Sequence, residues 1–452
     1  MNTKTHLFKD VICSSIGYAI HLILFTKKGL AIWLILLFFN ACHSTLNTRI
    51  SNPVARQPAE YDPLSAVWLI WPPNDHLDGY SNEAVTIQII AALIPHNKVI
   101  LTTANKDLYI KARKNIPDSL LKSGLLEIKI LPSEEFWVRD MGPNFVELEN
   151  GQPAVVDFNF NAWGYTPIGE MDAYTRRLER YDEQIAHWIG LPLISSNMIS
   201  EGGNREVNGE GVLVLSEKVE QGRNPTMSLK DMESEFKRLL GIKKVIWLKE
   251  GLHEDDHTFR GPLVLKDGSP AFTVITTNGH IDEYARFVND STLLLAEVDA
   301  ADLDDPIAQE NHRRMEENYA ILKKATDQDG RPFHIIRVPL PQTILGKMKP
   351  GDAVYAYISS LDYEGGFQFP QGREVQVIAA ASYLNFLIAN EVVLAQKFWR
   401  PGLDDAVKAR DEKVRSILET VFPDRRIIMI DALAVNFGGG GIHCITMQQP
   451  QL

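Results

Sequence analysis

Val67-Trp68-Leu69-Ile70-Trp71, then Asn82–Ile94, then Lys98-Val99-Ile100-Leu101-Thr102: this succession decides the fold class. The two pentapeptides are apolar and β-branched runs bounded by turn formers, as strands are. Between them apolar side chains recur at three- and four-residue spacing, the period of a helix with one buried face. Outward from there the alternation continues. Strands are expected at Leu125–Leu131, Ala154–Phe158, Gly211–Leu215, Lys244–Leu248, Ala271–Thr276, Thr292–Ala296, Phe333–Pro339 and Arg426–Ile430, and helices at Tyr174–Ile189, Leu229–Leu240, Gln309–Thr326 and Asp404–Val421. The alternation predicts an α/β protein. No low-complexity segment, long charge block or Pro/Ser-rich linker interrupts the chain after about Arg56, so 56–452 reads as one domain. No sequence repeat is visible, so any internal symmetry has to be structural.

The first 42 residues read differently. Apolar stretches run from Val11 to Phe25 and from Gly29 to Phe39, with Lys27 and Lys28 before the second. A run of about 11 apolar residues falls short of the roughly 20 that span a bilayer, so an export signal is expected over 1–42, with a short linker over 43–55. Cys42 after Ala41 is similar to the acylated cysteine of bacterial lipoprotein signals, although Phe39 and Asn40 depart from the usual pattern. The expectation is an exported envelope protein with Cys42 as candidate lipid anchor. The alternative is a cytoplasmic protein with a mis-assigned start.

The chain carries 58 acidic and 46 basic side chains in 452 residues, a net charge of -12, which argues against a nucleic-acid surface. Its three cysteines (Cys13, Cys42, Cys444) support neither a disulfide framework nor a Cys-x-x-Cys zinc site. Polar residues cluster in five segments, four of them with glycines, which is how an α/β scaffold builds active-site loops. These are Trp137-Val138-Arg139-Asp140-Met141-Gly142-Pro143, Glu201-Gly202-Gly203-Asn204, Gly279-His280-Ile281-Asp282, Ser382-Tyr383-Leu384-Asn385 and Gly438-Gly439-Gly440-Gly441-Ile442-His443-Cys444. A thiol after four glycines sits on backbone that can approach a ligand closely, so Cys444 reads as a nucleophile; alone, a small buried hydrophobe would be the better reading. His280 is the candidate for proton transfer. His443 is set aside, because neighbours along an extended strand face opposite ways. Asp140 and Asp282 add two carboxylates, and carboxylates, thiol and imidazole together suit a guanidinium, whose paired N–H groups match carboxylate forks and whose carbon a thiolate can attack. A metallohydrolase stays open, using the His-x-Asp pair or the run His253, Glu254, Asp255, Asp256, His257, which otherwise reads as a solvated loop.

These segments resemble the agmatine deiminase family, the branch of the guanidino-group-modifying enzymes that also contains bacterial-type peptidylarginine deiminase. The resemblance runs in order through Gln57-Pro58-Ala59-Glu60-Tyr61, Trp68-Leu69-Ile70-Trp71-Pro72, the Trp137 segment, Phe160-Asn161-Ala162-Trp163-Gly164, Glu201-Gly202-Gly203, Arg223-Asn224-Pro225, the His280 segment, Ala381-Ser382-Tyr383-Leu384-Asn385-Phe386 and the Cys444 segment. It implies a pentein-type five-bladed α/β propeller with five-fold pseudosymmetry, no metal, no cofactor, and hydrolysis of a guanidine to a ureido group plus ammonia. In it Cys444 would be the nucleophile, His280 the proton shuttle, and Asp140 and Asp282 the guanidinium clamps. Asn385 would line the pocket, Trp137 and Trp163 would bind substrate, and Glu201 would orient His280 or meet a substrate nitrogen. The implied partner is a small cationic guanidine, agmatine first, with peptidyl or free arginine as the alternative and a guanidine-binding lipoprotein without turnover as a third reading; a homo-oligomer is left open. Departures follow Trp71, where Pro72-Pro73-Asn74-Asp75-His76 stands in place of a basic stretch, and lie between Gly251 and Gly279, where His257-Thr258-Phe259-Arg260 and a hairpin-like stretch through Pro270 are inserted.

Overall fold

In the computed structural model residues 52–452 are described, and the expected export segment with Cys42 lies outside them. The α/β alternation resolves into one unit that occurs five times. A first strand pairs antiparallel with a second; a helix then crosses, and a third strand pairs parallel with the second. The units are Met447–Pro450, Leu64–Ile70 and Val99–Thr103; Asn144–Leu148, Pro153–Asn159 and Leu193–Ile199; Arg205–Val207, Val212–Ser216 and Lys244–Leu248; Ala285–Phe287, Thr292–Glu297 and His334–Pro339; and Leu387–Ala389, Val392–Gln396 and Arg426–Ile430. The crossing helices are Asn82–Leu93, the pair Ala173–Glu179 and Tyr181–Ile189, Leu229–Leu240, Pro306–Leu322 and Asp405–Val421. A parallel pair needs such a crossover, whereas an antiparallel pair needs only a tight turn.

Two units carry an extra edge strand. Leu126–Ile130 extends the first, and Val54–Arg56 pairs with Asn144–Leu148 in the second. The linker expected over 43–55 therefore ends inside the fold, because Val54 buries its side chain against Leu148 and Ile242 in one core cluster. The stretch between Gly251 and Gly279 contributes the hairpin Leu263–Val264 and Pro270–Thr273, which joins Val375–Ile378 and Leu345–Met348 in a separate four-stranded sheet.

The helices form where their signals stand. Ser228 Oγ accepts from Asp231 N at 3.2 Å and Asp231 reaches back to Ser228, a capping box, while Gly241 ends the helix in the left-handed region. Met232, Phe236, Leu239 and Leu240 of that helix are buried, each worth about 1.5–3 kcal/mol on transfer from water. The helix expected over Tyr174–Ile189 breaks at Arg180, whose φ/ψ of -88° and 11° lie outside the helical well, and Tyr181 turns inward to share a hydrogen with Thr102 at 2.6 Å.

The first strand of every unit escapes the sequence pattern, and each begins just after one of the five polar segments. Asp140 precedes Asn144–Leu148, Glu201 precedes Arg205–Val207, His280 and Asp282 precede Ala285–Phe287, Asn385 precedes Leu387–Ala389, and Cys444 precedes Met447–Pro450. The repeated unit thus delivers one polar loop from the same topological position five times.

Candidate active site

Two of these loops, with Trp137 and Asp140 in one and Gly438, Gly439 and Cys444 in the other, line a cavity of about 310 Å³. The aromatic residues Trp163, Tyr165, Tyr174 and Tyr357 and the acidic residues Glu135 and Asp172 also line it. A larger cavity of about 570 Å³ opens near Asp302 and Pro341, but none of the thiol, imidazole or paired carboxylates reaches it.

Cys444 lies in a turn, and its Sγ is 3.1 Å from Asn385 Nδ2 and 3.5 Å from Asp282 Oδ2. Burial pushes the thiol well above its ordinary pKa, and the carboxylates of Asp282 and Asp140 add to the shift. Asp140 accepts from Trp163 Nε1 at 2.8 Å and from the Gly203 amide at 2.8 Å, and burial raises its carboxyl. Its 3.6 Å approach to His280 Nδ1 joins the cavity lining to the imidazole. His280 is fully buried, with Nε2 3.2 Å from Glu201 Oε2. Burial favours the neutral ring, but Asp140 and Glu201 outweigh it and the pKa is raised. Glu201 has no solvent exposure and accepts from Arg223 Nε at 2.7 Å. Against the cost of burial, Arg223 and His280 hold its carboxyl down to about 2. Of its two expected roles, the geometry supports orientation of His280, through the 3.2 Å contact; neither Glu201 nor His280 nor Asp282 lines the cavity, His280 lying 3.6 Å from the lining residue Asp140 and Asp282 3.5 Å from the lining residue Cys444.

Asp282 accepts from His443 Nδ1 at 2.7 Å and from Asn385 Nδ2 at 3.1 Å through Oδ2. Burial would raise it, yet the His443 hydrogen bond and neighbouring positive charge bring it below its ordinary value. Its Oδ1 and the Nδ1 of His280 are buried polar atoms without a hydrogen-bond partner among the described residues. Gly203 sits where these groups converge: a Cβ there would lie 2.6 Å from His280 Nδ1, 2.9 Å from Asp140 Oδ1 and 3.1 Å from Asp282 Oδ2. Gly440 is constrained similarly, its absent Cβ falling 2.8 Å from Cys444 Sγ and 3.0 Å from the Trp137 ring.

Three expectations need correction. Asn385 does not line the cavity but lies behind the thiol, its Oδ1 accepting from the His443 and Cys444 amides at 2.9 and 3.4 Å. His443 is not turned away: the backbone there is a turn rather than a strand, so the opposite-face argument fails, and the ring bridges Asp282 and Glu60, with Nε2 to Glu60 Oε1 at 2.8 Å. The run 253–257 is no solvated loop, because Asp255 and Asp256 are buried. The ligating atoms of His253, Asp256 and His257 do lie within 4.8 Å of one another. Asp256, however, is paired with Lys218 and Arg314, and Arg314 Nη2 stands 3.2 Å from His253 Nδ1, cations where a metal would need free donors.

The sequence profile of Porphyromonas-type peptidyl-arginine deiminase matches residues 56–261 and 262–450. The chain belongs to that family. Among relatives of this peptidyl-arginine deiminase family member, an agmatine deiminase of Ectopseudomonas mendocina is 31% identical over 416 residues, 90% of this chain and 98% of that protein. One of Pseudomonas aeruginosa is 29% identical over 418 residues, 89% and 99% of the two chains. In fold, the chain is similar to an agmatine deiminase of Enterococcus faecalis, with a TM-score of 0.69 at 24% identity over 89% of this chain and 99% of the other. It is also similar to a putative arginine deiminase from Porphyromonas gingivalis, with a TM-score of 0.63 at 24% identity over 87% and 98%.

Glu60 was overlooked as a site residue although it stands in the segment Gln57–Tyr61. It binds His443, Arg139 and Arg286, and against burial these cations hold its carboxyl well below the ordinary range. Its only signal in the sequence was membership of a matched segment.

Proposed function

We propose that this family member is a deiminase that hydrolyses agmatine to N-carbamoylputrescine and ammonia. The carrying observation is the charge of the cavity. The Cys444 thiol, Asp140, Glu135 and Asp172 line it, and among its described lining residues there is no lysine or arginine. Such a site suits a ligand that is cationic at both ends and disfavours the α-carboxylate of free arginine. The aromatic lining residues Trp137 and Trp163 suit a guanidinium and its apolar stem.

In the proposed reaction Asp140 and Asp282 hold the guanidinium, whose charge offsets the two carboxylates that keep the thiol protonated. As the guanidinium binds, Cys444 loses its proton to solvent; the thiolate then attacks the guanidinium carbon, the C–S bond forming as the C=N π bond opens and the carbon becomes tetrahedral. The C–N bond to one terminal nitrogen breaks, and that nitrogen leaves as ammonia with a proton from His280. A water, deprotonated by His280, adds to the amidino-thioether carbon; the C–S bond breaks as the C=O forms, the hydroxyl proton passes to the departing sulfur, and the thiol is regenerated as the ureido product leaves. Glu201 keeps the imidazole in place throughout, and Asn385 Nδ2 stabilises the sulfur anion.

The five units are proposed to surround one axis as a five-bladed, pentein-type α/β propeller with the site at its centre. What supports this is the fivefold recurrence of the strand pattern with a site loop ahead of each first strand. Export to the envelope, with Cys42 as lipid attachment, is a separate proposal resting on the apolar stretches before it, and cell fractionation tests it.

Purified protein offered agmatine, arginine and an arginine-terminated peptide, with ureido product measured colorimetrically, tests the reaction. Agmatine should exceed arginine in kcat/KM by roughly a hundredfold, the equivalent of about 3 kcal/mol of unfavourable carboxylate placement. Preference for either arginine substrate would replace agmatine, and no product from any guanidine would sink the deiminase reading.

A further inference from the structure

Behind the nucleophile lies a carboxylate that this chemistry does not use. Glu283 follows Asp282 in the same short helical turn, is buried, and accepts from Asn385 Nδ2 at 2.9 Å through Oε1. The same nitrogen lies 3.1 Å from Cys444 Sγ and 3.1 Å from Asp282 Oδ2, so three acceptors share the two N–H groups of one amide. Glu283 therefore helps decide where that amide points. Among the described residues its other oxygen, Oε2, has no hydrogen-bond partner, and neither has Oδ2 of the buried Asp255. The charged groups acting on Glu283 are Asp255, Asp282, Glu254 and Arg286. Three are acidic, and Arg286 is already paired with Glu206 and Glu60. A buried carboxylate oxygen without a donor is costly as an anion, while as a hydroxyl it becomes a donor itself.

We propose that Glu283 is a positioning residue that works in its protonated form, fixing the Asn385 amide against the Cys444 sulfur without placing a further negative charge beside the thiolate. Burial and the neighbouring Asp255 push its carboxyl well above the ordinary range, in keeping with that state. Were it ionised, it would stand next to Asp282 among the charges that oppose thiolate formation.

The inference rests on Cys444 being the reacting group, so its test includes a measurement that needs no turnover. Wild type, Glu283→Gln and Glu283→Ala are compared in agmatine kinetics and in the pH dependence of iodoacetamide alkylation, followed at the Cys444 peptide by mass spectrometry. Glutamine keeps the acceptor for Asn385 and is neutral at every pH. Glu283→Gln should retain at least about a third of kcat and move the alkylation midpoint by less than about 0.3 pH unit, whereas Glu283→Ala should lose about tenfold in kcat with KM within about threefold. A midpoint lowered by about one pH unit or more in Glu283→Gln would show that the wild-type group was charged and overturn the proposal. Equal losses in the two variants, or none in Glu283→Ala, would overturn it as well. If the wild type turns over no guanidine, or the alanine variant fails to fold, the alkylation midpoint of Glu283→Gln still decides.

Discussion

Substituting Gly203 by alanine should damage the site while leaving every reacting group chemically unchanged. The new Cβ would lie 2.6 Å from His280 Nδ1, and ordinary contact begins near 3.4 Å, so the ring would have to retreat by about 0.8 Å. It has little freedom to do so. Its far nitrogen is 3.2 Å from Glu201, which the 2.7 Å bond from Arg223 holds in turn. Moving Gly203 instead would strain the 2.8 Å bond from its amide to Asp140 and bring the Cβ toward Asp282. Displacement of a reacting array by about 1 Å costs on the order of a hundredfold in rate, and overpacking a rigid interior costs about 1–3 kcal/mol of stability. Gly203→Ala should therefore lose about two decades in kcat/KM for agmatine while melting only a few degrees lower. Gly222→Ala is the control: its Cβ meets nothing within 4 Å on an exposed helix turn, and alanine there should keep activity and add about 0.5–1 kcal/mol. Steady-state kinetics and thermal unfolding of both variants decide the matter. Activity of Gly203→Ala within about threefold of wild type would refute the packing described around His280.

Cys444→Ala should abolish turnover while chelator leaves the wild type active; the reverse pattern in the ureido assay would point to metal-dependent hydrolysis. Glu201 contributes to acid stability. Its carboxyl is held at about 2 against an ordinary 4.5, so its contribution is fully present above pH 4.5 and is lost as pH falls through 2. That difference is on the order of 3 kcal/mol, with about 2 kcal/mol gone by pH 3, so the stability gap between wild type and Glu201→Gln in denaturant titrations should be wider at pH 6 than at pH 3. Trp163→Phe removes the 2.8 Å bond to Asp140 Oδ2 and leaves a buried carboxylate one donor short. A tenfold to hundredfold fall in kcat/KM is expected, corresponding to about 1.5–3 kcal/mol, and an unchanged value would show that the bond does not support the site.

The second and third strands of the units were largely legible because they are apolar on both faces, as Val212–Ser216 and Thr292–Glu297 show. The first strands were not. Arg205-Glu206-Val207 and Ala285-Arg286-Phe287 are three residues long and carry buried charge, a pattern that reads as loop when only apolar runs are sought. Arg286 is wholly buried between Glu206 and Glu60, so its satisfaction depends on partners distant in sequence. Apart from Asn385, the site residues were legible because they sit in segments with glycines, but their roles depend on distances that no local pattern encodes. His443 and Asn385 were misplaced for that reason.

The same buried charges explain why a site built from five separate loops can be rigid. Glu60 ties together Arg139 of the Asp140 loop, Arg286 of the strand after His280, and His443 beside the nucleophile. Removing one member would strand the others as uncompensated charges in the interior, a penalty of about 3–5 kcal/mol, whereas in water the same pairs would hold little. The loops are thus registered to one another by electrostatics that operate only once the five units have assembled. The thiol, imidazole and carboxylates acquire their mutual distances at that point, and the glycines at 203 and 440 keep the space between them open.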